Sequence, residues 1–475
     1  MAIPGQSRLL PSEDDTIVAL STAPGRSAIA IVRLCGPAAF AIAEQLVTPW
    51  PIQARRAVLG RIHDPNDHSL VDQCIVSAFP SPRSYTGDDT VEFSTHGGNA
   101  VSEALAGVLI RMGAREAQPG EFTRRAVLNG KLDLVQAEAI GDLIDATSDT
   151  MRRVVLHQLD GGLSRRIEDL RNALIDLEAL LAYDFDFPEE DHGPISRARV
   201  SERAEIVQGT LQSLLETRSA TELIREGALV VIAGRPNVGK SSLFNAIVGE
   251  KRAIVTDIPG TTRDAIEARV QFSVWPLRLV DTAGLRETDE LVERLGIEVS
   301  ERYLKGAHVI LACDDAADEL PKTIEAINSV GSAPVIAVLT KADRSRDPNL
   351  NRGGTKPTDS GTPFSTFTTD PIRVSAYTHE GLGELGKCVE QELEARYGAI
   401  PVARPALTRA RQRVAIEKAS SELAAFQQHW ERADLPASIA AVHIRAAVGG
   451  LDELIGVVDT EDVLSRLFAT FCIGK

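Results

Sequence analysis

Residues 234–241 read GRPNVGKS, a glycine-rich pattern that ends in a lysine and a serine. Such a pattern suits phosphate, because the glycines let backbone N–H groups turn toward a phosphate chain. Lys240 would reach the β- and γ-phosphates of a nucleotide, and Ser241 would bind Mg²⁺ through its hydroxyl. The run ALVVIAG precedes the pattern and SSLFNAIVG follows it, which predicts a strand, a loop and a helix in the order that this site requires.

Two further segments carry groups for Mg²⁺ and for the terminal phosphate. Residues 281–284 read DTAG after an apolar strand. Asp281 is therefore predicted to hold Mg²⁺ through water, and Gly284 to donate its N–H to the γ-phosphate. Residues 256–264 read TDIPGTTRD, a run of turn formers that predicts a loop with Thr262 as a second hydroxyl for Mg²⁺.

Two further segments indicate which base the nucleotide carries. They are TKAD at residues 340–343 and VSA at residues 374–376, each after a predicted strand. One carboxylate can accept the two adjacent N–H donors of guanine, and Asp343 supplies it. Four motifs in this order, each at the carboxyl end of a strand, predict a GTP-hydrolysing α/β domain. The residues predicted to bind GTP are Asn237, Val238, Gly239, Lys240, Ser241, Ser242, Thr256, Asp257, Ile258, Pro259, Gly260, Thr261, Thr262, Asp281, Thr282, Ala283, Gly284, Thr340, Lys341, Ala342, Asp343, Ser375 and Ala376.

Two positions depart from the usual GTPase pattern. Thr340 stands where the base motif usually begins with asparagine, although the carboxylate of Asp343 remains. Leu285 follows DTAG, where many GTPases keep a glutamine that orients the attacking water. Hydrolysis therefore needs another group, and spacing alone does not choose among the downstream acids Glu287, Glu290, Glu293 and Glu298.

The flanking sequence predicts the elements that carry this site. The first ~130 residues contain short β-rich runs between Gly and Pro clusters, which predicts a separate α+β domain. Apolar residues from 156 to 181 recur every three or four positions, with an interruption at Gly161 and Gly162, and this spacing predicts an amphipathic helix. Residues 408–430 and 437–471 are also predicted to be helical. Because a compact domain with neighbouring termini can be inserted into another, we interpret the two helical arms as one domain split by the GTPase domain.

Composition limits the partners and the location. The net charge of −16 argues against tight, unaided nucleic-acid binding, and TRARQR at 408–413 is interpreted as a solvated helix face. The five cysteines are far apart and form no CxxC pair, so neither a zinc site nor a disulfide framework is predicted. No apolar run approaches the ~20 residues of a membrane span, and the acidic start is unlike a signal peptide. A cytoplasmic protein is expected.

The chain resembles one family closely, the MnmE/TrmE family of tRNA modification GTPases. The matching residues extend over nearly the whole length but not over the linkers or the polar segment 344–371, interpreted as a mobile insertion. They read APGRSAIAIVRLCG, SYTGDDTVEFSTHGG, PGEFTRRAVLNGKLDLVQAEAIGDLIDA, GRPNVGKSS, TDIPGTTRD, DTAGLRE, VERLGIE and FCIGK.

The resemblance implies a multidomain α+β and α/β fold. The expected parts are an N-terminal folate-binding and dimerisation domain at 1–130, a discontinuous helical domain at 131–224 and 391–475, and an inserted Ras-like P-loop GTPase domain at 225–390. It also implies a homodimer that forms a heterotetramer with an FAD-dependent partner. Together they would add a carboxymethylaminomethyl-type group to C5 of the wobble uridine of certain tRNAs.

The resemblance further implies roles for single residues. Arg33, Glu92, Lys131 and the terminal Lys475 match the family's contacts to 5-formyltetrahydrofolate or a related tetrahydrofolate derivative. A K⁺ ion would be held by Asn237, Thr256, Ile258 and Thr261 between dimerised GTPase domains, and Glu293 matches the residue that orients water. The terminal helix would return to the folate domain. Cys472 is then either a reactive thiol or a packing cysteine; FCIGK does not fit a prenylation signal, because its third position is Gly and its last residue is Lys.

An alternative function is a GTPase switch in ribosome assembly or signalling. That function would favour a basic RNA-binding appendage. The acidic balance of the chain and its folate-type N-terminal segments argue against it.

Overall fold

The computed structural model describes residues 15–186, 197–250, 266–271, 274–282, 301–344, 370–432, 436–456, 467–468 and 471–474. They fall into two compact units. Unit 1 consists of the described residues within Met1–Ile144, Gln158–Ile175 and Arg445–Lys475, and unit 2 of those within Asp145–His157 and Asp176–Ile444. Each unit is thus built from separated stretches of the chain.

The first half of the described chain begins with strands and ends with helices. Its elements are β1 Ile17–Leu20, β2 Ile29–Cys35, α1 Ala39–Leu46, β3 Val47–Thr48, β4 Val58–His63, β5 Leu70–Phe79, β6 Thr90–His96, α2 Asn99–Arg111, β7 Arg115–Glu116, α3 Glu121–Leu128, α4 Leu134–Asp145, α5 Asp149–Leu159, α6 Gly162–Asp186, α7 Arg197–Glu216 and α8 Arg218–Glu226.

The second half alternates strands and helices before two long helices. Its elements are β8 Ala228–Gly234, α9 Lys240–Glu250, β9 Ile266–Gln271, β10 Pro276–Asp281, a helical stretch at 301–306, β11 Val309–Asp314, α10 Leu320–Asn328, β12 Val335–Leu339, β13 Ile372–Arg373, α11 Leu382–Tyr397, α12 Ala410–Arg432 and α13 Ala437–Ile455.

Unit 1 contains a seven-stranded sheet in the order β3-β4-β5-β6-β2-β1-β7. Side chains alternate along its strands, so Val32 and Phe93 are buried against helices α1 and α2 while their neighbours point to the opposite face. Arg33 and Glu92 are direct cross-strand partners on that opposite face. The pleat of β2 and β6 therefore fixes this pair outside the main core.

The C-terminal segment belongs to unit 1. Leu467 and Phe468 pack with Leu134 and Ala137 of α4 in a small apolar cluster. The backbone N–H of Gly120 donates to the carbonyl of Cys472 at 3.3 Å. A Cβ at Gly474, which has φ +98°, would lie 2.2 Å from the carbonyl oxygen of Leu20, so this position requires glycine.

Unit 2 contains a six-stranded sheet in the order β13-β12-β11-β8-β10-β9, in which only β9 runs antiparallel to its neighbour. Strand β8 is buried along all but its last residue and β11 along its whole length, as expected for parallel strands covered on both faces. Strand β8 lies between β10 and β11, so the later strands of the chain add to the sheet on both sides of β8. The loop after β8 therefore lies at a topological switch point, where α/β sheets bind ligands.

Helices from before and after this sheet pack together within each unit. In unit 2, Gln208 of α7 donates to Ser420 of α12 at 2.8 Å. In unit 1, Arg171 of α6 forms an ion pair with Asp452 of α13 at 2.5 Å. The two helical arms thus contact each other although the six-stranded sheet separates them in sequence.

The predicted combination of α+β, helical and α/β parts is confirmed in the described residues. Gly161, at φ +79°, separates α5 from α6 at the interruption noted in the sequence. Within the described ranges, no helix is both long and apolar enough to cross a membrane.

Candidate nucleotide site and a second polar site

The loop between β8 and α9 is shaped by residues with unusual backbone angles. Gly234 has φ +152°, and a Cβ there would lie 2.1 Å from the carbonyl oxygen of Cys313, so only glycine fits. Gly239 and Asn237 also have positive φ, at +102° and +62°. These angles produce the tight turn that lets successive N–H groups face a bound anion.

Lys240 is held inside this loop. Its ammonium donates to the carbonyls of Gly234 at 3.0 Å and Arg235 at 2.8 Å, and the residue is buried. The loop thereby keeps a positive charge at the start of α9, where the helix dipole also favours an anion.

Ser241 and Asp281 meet at the carboxyl edge of the sheet. The Ser241 hydroxyl donates to Oδ2 of Asp281 at 2.6 Å, and Asp281 is 1% exposed. A hydroxyl and a carboxylate provide the hard oxygen atoms that Mg²⁺ prefers. The residues present therefore fit the metal that the sequence predicts here.

Thr340, the first residue of the base motif at 340–343, contacts the glycine-rich phosphate loop at 234–241. Its hydroxyl donates to the carbonyl of Val238 and lies 3.2 Å from the carbonyl of Asp314, and the residue is 6% exposed. The hydroxyl has a single hydrogen, so it donates to one carbonyl at a time. The threonine that replaces the usual asparagine thus forms a hydrogen bond with a residue that lies 102 positions away in the chain.

Asp343 is oriented by Ser375. The Ser375 hydroxyl donates to Oδ1 of Asp343 at 2.8 Å and is itself fully buried. Asp343 lines a cavity of about 560 Å³ together with Gly239, Ser242, Lys341 and Ala376. This cavity brings the phosphate loop, the base motif and the segment after β13 onto one surface.

An ion pair holds the first part of the loop. Arg235 donates to both carboxylate oxygens of Asp314, at 2.9 and 2.6 Å. Burial alone would raise the pKa of Asp314, but hydrogen bonds from Arg235, the Ala316 N–H and Thr323 hold that pKa below its usual value. Asp314 is therefore ionised at neutral pH and keeps the guanidinium of Arg235 in place.

Lys341 reaches across to the same loop. Its ammonium donates to the carbonyl of Asn237 at 2.9 Å and to Asp315 at 2.7 Å. On the other side of the loop, a cavity of about 570 Å³ is lined by Asn237, Lys240 and Thr282. Asn237 thus lines the second cavity and is hydrogen-bonded to Lys341, which lines the first.

Several predicted site residues lie outside the described residues. These are Thr256, Asp257, Ile258, Pro259, Gly260, Thr261, Thr262, Ala283, Gly284, Glu293 and Lys475. The insertion predicted at 344–371 also lies outside them apart from Arg344, Asp370 and Pro371.

In unit 1, Arg33 is at the centre of a polar and aromatic group. It forms an ion pair with Glu92 at 2.8 Å, and its guanidinium lies 5.5 Å from the ring centroid of Tyr85 and 5.3 Å from that of Phe122. Lys131 donates to the carbonyl of Pro82 at 3.1 Å. Lys131 and Arg33 thus contact the same loop between β5 and β6, Lys131 at its start and Arg33 at its middle.

Cys472 takes part in this unit through its backbone, which accepts the Gly120 N–H, while the residue is exposed. The structure therefore brings Arg33 together with Glu92, and the Cys472 backbone together with Gly120 at the start of α3.

Sequence reasoning did not identify Arg235, Asp314, Tyr85 or Phe122 as parts of these sites. Arg235 occupies a variable position of the glycine-rich pattern, and Asp314 belongs to no motif. The sequence does offer one indication for Asp314, because it ends an apolar run typical of a parallel strand, and ligands bind at that end of such a sheet. Tyr85 and Phe122 lie within the segments that carry the family resemblance.

Comparison with known proteins gives matches over nearly the whole chain. A family profile described as the MnmE helical domain matches residues 134–472, and one described as the GTP-binding protein TrmE N-terminus matches residues 16–131. A tRNA modification GTPase MnmE from Aquifex aeolicus is 39% identical over 465 residues, which cover 97% of this chain and 100% of the relative. Proteins of the same name from Alkaliphilus oremlandii and Akkermansia muciniphila are 37% and 38% identical, each over 97% of this chain and 99% of the relative.

Proposed function

This chain belongs to the MnmE family of tRNA modification GTPases, and we propose that K⁺-activated GTP hydrolysis drives its part in modifying C5 of the wobble uridine. It is a GTP hydrolase that acts in tRNA modification. The observation that supports the hydrolase mechanism is the carboxyl-end surface of the six-stranded sheet, which carries Lys240 and Ser241 after β8, Asp281 at the end of β10, and the Ser375–Asp343 pair after β13 and β12.

GTP is read and held by separate groups of that surface. The carboxylate of Asp343, fixed by Ser375, accepts the two N–H donors of the guanine edge. The ammonium of Lys240 meets the β- and γ-phosphates. Mg²⁺ would be bound by Ser241 and Thr262, with Asp281 acting through water, and when bound it neutralises charge on the β- and γ-phosphate oxygens.

Water attack requires a group other than glutamine, because Leu285 follows the DTAG motif. We assign the orientation of water to Glu293, acting through a bridging water. K⁺ would be held by Asn237, Thr256, Ile258 and Thr261 where two GTPase domains of a homodimer meet. It supplies a fixed positive charge where negative charge develops between the β- and γ-phosphates.

Three features of Asn237 support a cation role. Its backbone has positive φ, and the residue lines the 570 Å³ cavity together with Lys240 and Thr282. Its carbonyl is fixed by the ammonium of Lys341. A side-chain oxygen on a backbone held this firmly is a suitable ligand for a weakly bound monovalent ion.

In unit 1 we propose a site for 5-formyltetrahydrofolate or a related tetrahydrofolate derivative. Arg33, Glu92, Lys131 and Lys475 would contact it. The ion pair of Arg33 with Glu92 and the nearby rings of Tyr85 and Phe122 support this proposal, because a flat, polar ring system needs both hydrogen-bonding groups and aromatic surface. Cys472 remains a candidate reactive thiol.

The proposed product is a carboxymethylaminomethyl-type group on the wobble uridine of certain tRNAs. The homodimer would act with an FAD-dependent partner, as a heterotetramer, and the folate derivative would be linked to the one-carbon unit. Nucleoside analysis of tRNA from a deletion strain tests this assignment. Loss of the modification, restored by the native gene but not by Ser241→Ala, is expected, and normal wobble uridines in the deletion strain would eliminate it.

The cation role has its own test. GTP turnover is measured in KCl and in NaCl at equal ionic strength, with and without the flavoprotein partner. We expect turnover in NaCl to be slower on the order of a hundredfold, as when one oxyanion-stabilising group is lost. Asn237→Ala should abolish the difference between the salts, and equal rates of the native protein in both salts would contradict the proposal.

A further inference from the structure

Three exposed basic side chains belong to or contact one loop of unit 1, the loop that joins β5 to β6. Arg83 is part of this loop. The guanidinium of Arg55 donates to the carbonyl of Arg83 at 2.7 Å, and the ammonium of Lys131 donates to the carbonyl of Pro82 at 3.1 Å. Because these two carbonyls are successive in the chain, the loop gathers three positive side chains on one short segment. We call Arg55, Arg83 and Lys131 the basic strip.

The contacts of the basic strip hold its members without neutralising them. A backbone carbonyl accepts a hydrogen bond but carries no net charge, so Arg55 and Lys131 keep their full positive charge. The two acids of the loop have other partners: Asp89 accepts a backbone N–H of the loop at 2.8 Å, and Asp88 accepts from the amide of Asn129 at 3.1 Å. The strip therefore presents positive charge that no direct ion pair among the described residues cancels.

Arg55 has a backbone conformation that residues with a side chain seldom adopt. Its φ is +60°, a value that glycine takes far more easily than arginine. Its N–H donates to the carbonyl of Ala78 at 2.8 Å, which fixes this turn against β5. The chain thus places an arginine where the local backbone geometry favours glycine. Such conformations cluster at ligand-binding sites, where the surrounding contacts maintain them.

The basic strip adjoins the group around Arg33 that we assigned to a folate derivative. Arg83 lies two residues before Tyr85, whose ring centroid is 5.5 Å from the guanidinium of Arg33. The side chains of Arg33 and Glu92 are 19% and 25% exposed, whereas all three members of the strip are exposed. A ligand that spans both places would need a flat polar head in the covered part and an anionic tail in the open part.

We propose that the basic strip binds the glutamate tail of the folate derivative, and that it favours forms with several glutamates over the form with one. This inference rests on the proposed folate site. Each added glutamate brings another carboxylate, and a guanidinium can donate to a carboxylate through two parallel N–H groups. Because the positive groups are exposed, each contributes at most about fivefold to affinity, and added salt screens them.

The test measures binding of 5-formyltetrahydrofolate with one and with three glutamates to the full-length protein by isothermal titration calorimetry. The native protein should bind the triglutamate about tenfold more tightly at low ionic strength, and about twofold more tightly in about 0.5 M salt. The combined change of Arg55→Gln and Arg83→Gln should reduce the ratio to about twofold at low ionic strength. Arg55→Lys should keep most of the preference, because the charge remains.

Arg404→Gln is the matched control. Arg404 is also exposed and donates to a backbone carbonyl, that of Ala399 at 3.2 Å, but it belongs to unit 2. Its replacement should leave the ratio of the two affinities unchanged. A ratio near one in the native protein would overturn the proposal, and so would an equal loss for both ligands in the combined variant. The salt dependence of the native protein needs no variant and provides an independent check.

Transfer RNA is another anionic partner that the strip could contact, so the same variants are tested for tRNA binding, which should stay unchanged. Weaker tRNA binding with an unchanged ratio of folate affinities would assign the strip to RNA and overturn the proposal. Failure of the native protein to bind either folate form would refute the folate site itself. Equal binding of both forms would refute only the assignment of the tail.

Discussion

Replacement of Thr340 by valine removes one hydroxyl from the buried contact between the base motif and the phosphate loop. The side chain keeps nearly its volume, so the change tests a hydrogen bond more than packing. The hydroxyl of Thr340 donates to the carbonyl of Val238, and the residue is 6% exposed. Valine leaves that carbonyl without this donor, close to the residues that hold Asn237 and Gly239 in place.

The size of the effect follows from the burial of the contact. An unsatisfied buried polar group costs about 1–3 kcal/mol, and a neutral hydrogen bond contributes about 1 kcal/mol net. Because the extra methyl of valine is buried, the lower half of that range applies. A loosened loop must be reordered when a nucleotide binds, so we expect GDP affinity to fall about fivefold to tenfold, mainly through faster dissociation.

The assay is stopped-flow displacement of a fluorescent GDP analogue, combined with thermal unfolding of each variant. Thr340→Ser keeps the hydroxyl and should release GDP within about twofold of the native rate. Thr221→Val is a matched control, because Thr221 is also buried and donates to the carbonyl of Leu407 at 2.6 Å, away from the loop. It should lose stability and release GDP normally.

The reasoning would be refuted if Thr340→Val released GDP at the native rate while remaining folded. It would be refuted equally if Thr221→Val accelerated release by the same factor, since the effect would then reflect general loss of stability. Thr340→Asn is also informative, because its amide can donate to the same carbonyl. We expect it to release GDP no faster than the native protein.

Two further predictions concern catalysis and thiol chemistry. Glu293→Ala should slow GTP hydrolysis and leave GTP affinity nearly unchanged, as single-turnover and equilibrium-binding measurements would reveal; markedly weaker binding would argue against a purely catalytic role. Burial raises the pKa of Cys74 and of Cys313 to about 12, so at pH 8 only about one in ten thousand of these thiols is ionised. Iodoacetamide should therefore label the exposed Cys472 first and leave the other two until the protein unfolds, and rapid labelling of either in peptide mass spectra would contradict this expectation.

The sequence predicts the glycine-rich loop of unit 2 and its flanking strand and helix correctly, because these parts are local in the chain. A buried strand, glycines at positions that need positive φ and a following helix form one short segment, and Gly234 and Gly239 have the angles that such a loop requires. The short β-rich runs of the N-terminal part of the chain likewise predict its α+β character. The residues that contact nucleotide or folate remain predictions.

The contacts that bind distant segments together could not be predicted in the same way. The partner of Thr340 lies 102 residues away, and that of Arg235 lies 79 residues away. Neither pair follows from spacing, because each depends on which strands become neighbours in the sheet. The same holds for Arg33, whose ion-pair partner follows from the register of β2 against β6.

Unit 1 is built from three separated stretches of the chain, and this arrangement affects how the protein folds during synthesis. Its sheet comes from the beginning of the chain, but Phe468, Cys472 and Gly474 pack against that beginning at Gly120 and Leu20. During translation these last residues emerge from the ribosome after every other part of both units. In a nascent chain the segments around Leu20 and Gly120 therefore stay uncovered until that point, a period in which chaperones would have most to protect.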